Sequence, residues 1–343
     1  MDKYLSNKLK ILSFVLILLV VMIHANIISN SSSQISIFIQ RFISDGLALC
    51  AVPMFFIISG FLFGYSFDST KLFQSYKSKL KKRVRSLLIP YLLCEIVGIL
   101  FLFIFQLIVP AFTINSGLTV HNFVMSDIIK EMFISPKIFY QLWFVRDLFL
   151  CVVISPLLIL GIKYLKIVFI LALLVLQFYI AHIYILGIGS IFYFSLGLYF
   201  SFYHSYLLRY RFSSKFWWLV PILWFVATAV ICATHTKSSF GLLIQILGIA
   251  SFWIGYDLIF NIKKKYLIPL DLTAFTFFIF LFHEPLLSII KKSYIAVVGT
   301  NSLFKELFLY FTAPSIIIVI CIYAGNVLKS TKPKIYSFIT GGR

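Results

Sequence analysis

The chain has 343 residues, of which 61% are hydrophobic and 12% are charged, and its mean hydropathy is +1.02. An ordinary soluble domain is about a quarter charged, so this composition excludes a soluble globular protein. The formal net charge of +19 would suit a nucleic-acid-binding protein, but the Lys and Arg residues fall in short loops between apolar runs. We therefore expect an integral membrane protein with no nucleic-acid partner.

Apolar runs of about 20 residues recur along the chain, and each is long enough to cross a ~30 Å hydrocarbon core as a helix. They predict an all-α fold, a polytopic membrane helix bundle that forms one domain over 1–343 with its core at about 8–328. The predicted spans are, in chain order, 11–29, 46–66, 87–110, 143–162, 167–185, 187–203, 216–233, 240–261, 267–290 and 307–328.

The basic residues predict the orientation of these ten spans. With the N-terminus inside, the inner segments hold 22 of the 30 Lys and Arg residues and the outer segments hold 8. This asymmetry predicts that both the N-terminus and the C-terminus lie inside. The first run follows three lysines as a signal peptide would, but it is too long and lacks a small-residue cleavage site, so we expect it to be the first membrane helix.

Several kinds of chemistry are not indicated. The five cysteines are scattered singly through apolar segments, which predicts buried thiols, no disulfides and no metal site. No GxGxxG or Walker motif occurs, so neither a nicotinamide cofactor nor ATP is supported. The function must therefore depend on polar residues in and beside the membrane spans.

Ionisable side chains inside the spans are the first candidates, because a charged group near the centre of a membrane helix costs at least ~2.5 kcal/mol. His24 lies in the first span, nearer its outer end than its inner end. Ionisable pairs lie at a similar depth in three other spans or at their outer ends, namely Arg41 and Asp45, Arg146 and Asp147, and His283 and Glu284. We expect these groups to converge on one cavity, where a carboxylate orients the His24 imidazole.

Simpler explanations compete with this one. A histidine in a membrane span often only bonds a carbonyl group of a neighbouring helix. Arg146 and Asp147 are consecutive and point to different helix faces, so we expect no salt bridge between them. Anchoring at the membrane interface explains Arg146 as well as a site role does. The longest outer segment, 111–142, is polar enough to be ordered over a pocket.

A second candidate site lies at the inner side of the membrane. Lys82, Arg83 and Arg85 precede the third span, where Pro90 is expected to begin or bend the helix. A basic cluster at a helix entrance suits a phosphorylated cytoplasmic ligand. A stop signal or contact with anionic lipid is the alternative. Together the two sites fit a protein that passes a group from an inner donor to an outer acceptor.

Five segments resemble, in order, the signature segments of the acyltransferase-3 family of bacterial membrane O-acyltransferases. They are ILSFVLILLVVMIHA (11–25), VPMFFIISGFLFG (52–64), KKRVRSLLIPYLL (81–93), LWFVRDLFLCVVISPLL (142–158) and FIFLFHEPLL (278–287). The resemblance implies a protein of the bacterial inner membrane that transfers an acyl group, usually acetyl from cytoplasmic acetyl-CoA, to a hydroxyl of a cell-surface or exported glycan. The family's first-span histidine corresponds to His24, as general base or as transient acyl carrier.

The sequence departs from the family pattern in two places. Members commonly carry an arginine eleven residues before the histidine, and this position is Ser13 here. The family's Arg-x-x-Arg pattern is half kept, since Arg83 aligns with the first arginine and Ser86 takes the place of the second. The resemblance nevertheless implies donor binding by Arg83 with its neighbours Lys82 and Arg85.

Ser59, beside Gly60, also matches the family and is a candidate for donor binding, with close packing of helices as the competing explanation. Arg146 is a candidate for stabilising the oxyanion of the reaction. The predicted partners are acyl-CoA, a glycan or lipid-linked sugar acceptor and membrane lipids, with no metal. A transporter or flippase for a polysaccharide precursor is the alternative, and a receptor-like protein without turnover is a third possibility.

Overall fold

The computed structural model describes most of the chain. Two polar residues of the predicted outer segment, Asn115 and His121, lie outside the described part. The described residues are 1–65, 67–68, 71–108, 119–120, 122–183, 185–234, 237–263 and 268–342. Within them the chain is almost entirely helical, which confirms the all-α prediction.

The helices are α1 (Lys3–Ala25), α2 (Gln34–Gln40), α3 (Ala51–Tyr65), α4 (Leu72–Arg83), α5 (Ile89–Ile108), α6 (Met125–Phe133), α7 (Trp143–Val153), α8 (Ser155–Leu165), α9 (Ile167–Tyr179), α10 (Ile188–Tyr203), α11 (Ser205–Arg209), α12 (Leu219–Thr234), α13 (Lys237–Lys263), α14 (Thr276–Phe282), α15 (Leu286–Val297), α16 (Leu303–Thr331) and α17 (Pro333–Ile339). Two π-helical turns interrupt them, at Arg41–Gly46 and Val84–Leu88. Among the described residues the strands are β1 (His182–Ile183) and β2 (Leu186–Gly187), which pair antiparallel between α9 and α10.

Six helical segments of the described chain are long and apolar enough to cross a membrane, and two bent helix pairs raise the number to eight. The bent pairs are α7 with α8, at 61°, and Leu270–Phe282 with α15, at 66°. The other two predicted spans correspond to α9 and α10, with 13 and 16 residues. At ~1.5 Å per residue these two helices reach only ~20 and ~24 Å. The chain is thus a multi-pass membrane protein.

Both bends correct a sequence prediction of one continuous span. Pro156 follows the break between α7 and α8, and Pro285 lies in the break between α14 and α15. Proline has no N–H group to donate within a helix, and its ring collides with the preceding turn. The breaks matter because non-helical backbone within a membrane occurs where it is buried in protein or lines a cavity.

The first of two compact units comprises Met1–Phe55 and His204–Asn326. Its apolar core includes the cluster of Cys50, Trp224, Ile231 and Ile244, where α12 and α13 pack against each other. A Cβ atom on Gly248 would lie 2.9 Å from the Sγ atom of Cys50, so this glycine permits the close approach.

The second unit comprises Phe56–Tyr203 and Val327–Arg343. Its helices α3 and α10 approach each other at two glycines. A Cβ atom on Gly60 would overlap the backbone carbonyl of Phe194, and one on Gly197 would overlap the carbonyl of Ile57. Small residues that let membrane helices approach closely are a common means of packing. This contact supports the packing explanation for the segment that contains Ser59.

The segment before α7 lies along α5, within the same unit. The side-chain carbonyl of Gln106 accepts a hydrogen bond from the Val120 N–H (2.8 Å), and the Tyr91 hydroxyl donates to the Met132 carbonyl (2.5 Å). Gln106 and Tyr91 are 15 residues apart on one helix, which is ~22 Å. The predicted outer segment therefore runs well down the length of α5.

Candidate active site and donor pocket

His24 lies in the last turn of α1 and is half-buried. The helix begins where the Asp2 side chain accepts a hydrogen bond from the Leu5 N–H (2.7 Å), and it ends at Ala25. The imidazole of His24 stacks against that of His283, with 5.4 Å between the ring centroids and 29° between the ring planes. The first unit therefore brings together two of the predicted catalytic residues.

His283 occupies the break between α14 and α15 and is fully buried. Its Nδ1 atom lies 3.0 Å from the carbonyl oxygens of both Ile279 and Phe280. Carbonyl oxygens only accept hydrogen bonds, so we assign the proton to Nδ1, which leaves Nε2 as an acceptor in the neutral ring. That Nε2 atom is buried and has no hydrogen-bond partner among the described residues. His283 thus presents an unused acceptor beside His24.

Lys291, on α15, holds the end of α1 on which His24 lies. Its ammonium group donates to the carbonyl oxygen of His24, and it lies 3.4 Å from the carbonyl oxygen of Asn26. A cation at the carbonyl end of a helix satisfies unpaired acceptors and interacts favourably with the helix dipole. Sequence reasoning missed Lys291, because it lies just beyond the predicted span 267–290 and its contact with α1 depends on tertiary packing.

Asp45 and Glu284, the predicted carboxylates of the site, also lie in the first unit. Asp45 is half-buried in the π-helical turn Arg41–Gly46. Its neighbour Ser44 bonds the carbonyl oxygen of Met22 (2.6 Å), two residues before His24. Glu284 is buried and accepts a hydrogen bond from the Ser288 N–H (3.2 Å). The turn that carries Asp45 therefore packs against the end of α1 on which His24 lies.

Arg146 lies in the second unit, where the structure overturns the expectation that it does not pair with Asp147. Its Nη2 and Nε atoms lie 2.9 and 3.1 Å from Oδ1 of Asp147. The expectation considered only the directions of the two Cβ atoms, but an arginine side chain is long enough to fold back along the helix. Arg146 also donates to the carbonyl oxygen of Ile134.

The Arg146–Asp147 pair also holds the loop between β1 and β2. Arg146 donates to the carbonyl oxygen of Ile185 (3.1 Å), and Oδ2 of Asp147 accepts from the Gly187 N–H (3.2 Å) and the Ser190 hydroxyl (3.1 Å). The Asp147 side chain is 2% exposed and that of Arg146 is 13% exposed. These contacts give Arg146 a structural role in the second unit. Its role in stabilising the oxyanion of the reaction stays a prediction.

A cavity of about 1000 Å³ in the second unit is lined by the three predicted donor-binding cations, Lys82, Arg83 and Arg85. Further lining residues are Lys71, Lys79, Ser86, Gly341 and Gly342. We call this cavity the basic pocket. Five cations and no acidic side chain occur among its described lining residues, so it attracts anions, phosphates above all.

Ser59 is half-buried on α3, and it is absent from the described residues that line the basic pocket. Leu62 and Phe63, one turn further along the same helix, do line it. Lys79 donates to the carbonyl oxygen of Phe63, and its ammonium lies 5.1 Å from the centre of the Phe63 ring. These contacts attach α4 to α3, and a donor contact by Ser59 stays a prediction.

A buried ion pair in the first unit escaped sequence reasoning. The Lys8 ammonium lies 2.8 Å from Oδ1 of Asp257, and both side chains are fully buried. The same oxygen accepts a hydrogen bond from the Tyr4 hydroxyl (2.6 Å), and the ammonium lies 4.0 Å from the centre of the Trp253 ring. The signal was Asp257 itself, the one acidic residue in the predicted span 240–261.

A family model described as an acyltransferase domain matches residues 7–328, which is nearly the whole chain. The chain belongs to the acyltransferase-3 family. This acyltransferase is accordingly a multi-pass membrane enzyme. The matched residues include His24, His283 and all five cations of the basic pocket. Searches of curated proteins and of solved structures found no match. Gly341 and Gly342 of the pocket lie beyond the matched residues.

Proposed function

We propose that this acyltransferase transfers an acyl group, acetyl from cytoplasmic acetyl-CoA in the simplest case, to a hydroxyl of a cell-surface or exported glycan. We place it in the inner membrane of a bacterium. The observation that carries the proposal is the stacked pair of His24 and His283 in the membrane-spanning part of a member of this family. Ionisable groups are costly inside a membrane, and they mark functional sites.

His24 is the proposed general base. Its neutral imidazole takes the proton of the acceptor hydroxyl while the oxygen attacks the carbonyl carbon of the thioester. The tetrahedral intermediate then collapses, the carbon–sulfur bond breaks, and the thiolate of CoA receives the proton from His24. One ester and one thiol result, so no other reactant is required. A transient acyl-His24 intermediate is the other route.

His283 and Lys291 are the proposed positioning residues. The Nε2 atom of His283 accepts hydrogen bonds only, so it suits an N–H of a protonated His24 or the hydroxyl of the acceptor. Lys291 fixes the backbone on which His24 lies and adds a positive charge close to the reaction. Asp45 and Glu284 are the proposed carboxylates that balance this charge on the first unit.

The basic pocket is the proposed site for the phosphates of acyl-CoA. Arg83 and Arg85 would bind them through charge-assisted hydrogen bonds, with Lys82 as a further cation. The pocket volume of about 1000 Å³ is at the upper end of the ~300–1,000 Å³ typical of ligand sites. A large, phosphorylated donor fits this combination of size and charge.

The test is to supply purified protein with acetyl-labelled CoA and an acceptor glycan. The wild-type protein is expected to transfer the label, and His24→Ala is expected to lose roughly 10²- to 10⁴-fold in rate, the usual contribution of a general base. His24→Ala that folds and acetylates at the wild-type rate would falsify the role of His24. A protein that moves the glycan without labelling it would be a carrier.

A further inference from the structure

The segment after α16 contributes to the basic pocket through two glycines. α17 ends at Ile339, and Gly341 and Gly342 follow with φ angles of +66° and +82°. Residues other than glycine rarely adopt such angles. Both glycines line the basic pocket together with Ser86. The chain therefore uses an unusual backbone conformation at the wall of a charged cavity.

Gly341 packs directly against the backbone of Ser86. A Cβ atom on Gly341 would lie 2.5 Å from the Cα atom of Ser86 and 2.8 Å from its carbonyl oxygen. Because these are backbone atoms, no side-chain rotation would relieve the overlap. Only glycine permits both this contact and the positive φ angle.

The glycines are held in place by α17. The Gly342 N–H donates to the carbonyl oxygen of Ser337 (2.6 Å), and the Thr340 hydroxyl donates to that of Tyr336 (2.8 Å). Thr340 and Tyr336 are buried, and burial raises the pKa of the Tyr336 hydroxyl. The contact on Ser86 is therefore made by an ordered segment.

Ser86 and Arg85 both belong to the π-helical turn Val84–Leu88. A π-helical turn holds one residue more than an α-helical turn and is often found at functional sites. If this turn relaxed to an α-helix, the residues on its two sides would rotate relative to each other by about 100°, the angle per residue of an α-helix. Arg83 lies just before this turn and Arg85 lies within it, so relaxation of the turn would change the direction of Arg85 relative to Arg83.

We propose that Gly341 is a positioning residue of the basic pocket, which holds the π-helical turn in place so that Arg85 points at the phosphates of the donor. The inference rests on the proposed function, since it takes acyl-CoA as the ligand. Gly341 lies outside the residues matched by the family model, so the match itself assigns it no role.

The experiment measures CoA binding to the full-length protein in detergent by calorimetry. Gly341→Ala is expected to weaken CoA binding about tenfold or more, as the loss of a hydrogen bond to a charged group does. Gly299→Ala is the matched control, because Gly299 also has a positive φ angle (+74°) but a Cβ atom added there would meet nothing within 4 Å. That control is expected to bind CoA as the wild type does.

A double-mutant cycle separates positioning from a general loss of structure. In an Arg85→Ala background, Gly341→Ala is expected to cause no further loss of affinity. An equal loss in both backgrounds, or no loss in either, overturns the inference. If Gly341→Ala does not fold, Gly341→Asn replaces it, since asparagine tolerates positive φ angles but retains the Cβ atom.

The two proposals fail in different ways. If Arg83→Ala and Arg85→Ala weaken CoA binding and Gly341→Ala leaves it intact, the positioning role is overturned and the donor site stands. If the wild-type protein does not bind CoA, the donor assignment is overturned and the positioning role with it.

Discussion

The imidazole rings of His24 and His283 stack with their centroids 5.4 Å apart, and Nδ1 of His283 is held by two backbone carbonyl groups. The first unit thus places the two imidazole rings in direct contact. Because Nδ1 is fixed by backbone, the orientation of His283 does not depend on the charge of His24. The pair therefore consists of His24, the proposed base, and His283, whose ring is fixed by backbone hydrogen bonds.

His283→Asn and His283→Gln are expected to differ. The amide of asparagine sits close to the position of Nδ1 and can keep the bonds to Ile279 and Phe280, whereas that of glutamine sits near Nε2. We expect His283→Asn to fold as the wild type does and to lose about tenfold or more in transfer rate, because the acceptor beside His24 is missing. Transfer of labelled acetyl and thermal unfolding measure both effects. A fully active His283→Asn would show that Nε2 has no part in the reaction.

Lys291→Met is expected to reduce both stability and transfer. Removing a cation from the carbonyl end of a helix costs about 0.3–2 kcal/mol, and here the freed carbonyl belongs to His24. Lys292→Met is the control, since Lys292 is the exposed neighbour on the same helix. Thermal unfolding and initial rates are compared for the two variants. Equal effects of both substitutions would mean that only the overall charge of α15 matters.

The basic pocket predicts that CoA binding weakens as salt is added, because salt screens exposed charges. Arg83→Ala and Arg85→Ala are expected to weaken binding and to reduce this dependence. Lys81→Ala is the control, because Lys81 is exposed on the same helix and is absent from the described pocket lining. Titrations at several NaCl concentrations give the slopes. If Lys81→Ala bound CoA as weakly as the arginine variants do, binding would depend on the total positive charge of this region and not on a defined site.

The sequence predicts the all-α fold and the positions of the apolar helical segments, because hydropathy is a local property of the chain. It does not predict that the ninth span breaks at His283 and Glu284, since an average over some 20 residues hides a three-residue break. Pairs of residues distant in sequence are equally hidden. Lys8 and Asp257 are 249 residues apart, and neither the charge pattern nor the helix period indicates that they meet.

The candidate site is predictable only in part for the same reason. His24 is recognisable as a histidine in an apolar run, but its neighbour Lys291 is found only through the packing of α15. Arg146 and Asp147 show the opposite error, because helix geometry alone argued against a contact that the long arginine side chain makes. Side-chain reach and tertiary contacts decide such cases.

The Lys8–Asp257 pair predicts a large effect of single substitutions and a small effect of the double substitution. Lys8→Met leaves the Asp257 carboxylate buried without its cation, which is expected to cost about 3–5 kcal/mol of unfolding free energy. Lys8→Met with Asp257→Leu removes both charges and is expected to recover most of this loss. Lys10→Met, at an exposed position of α1, serves as control. Thermal unfolding is measured for the wild type, Lys8→Met, the double variant and Lys10→Met. A double variant no more stable than Lys8→Met would show that the unpaired Asp257 carboxylate is not the cause of the loss.

For two buried glutamates of the second unit, Glu95 and Glu131, substitution by leucine is expected to change the unfolding free energy in opposite directions. Both carboxyl oxygens of Glu95 are buried and have no hydrogen-bond partner among the described residues. In contrast, Glu131 accepts hydrogen bonds from the backbone N–H groups of Lys137 (2.5 Å) and Ile138 (2.7 Å). Leucine is somewhat larger than glutamate, and its side chain has no polar atoms.

Glu95→Leu is therefore expected to raise the unfolding free energy by about 1–3 kcal/mol, the penalty of a buried polar group without a partner. Glu131→Leu is expected to lower it by a similar amount, since two backbone donors lose their acceptor. Unfolding of both variants in the same detergent gives the comparison. A destabilised Glu95→Leu would mean that Glu95 has a bound partner in the folded protein, and a loss of transfer in a stabilised Glu95→Leu would place that carboxyl in the function.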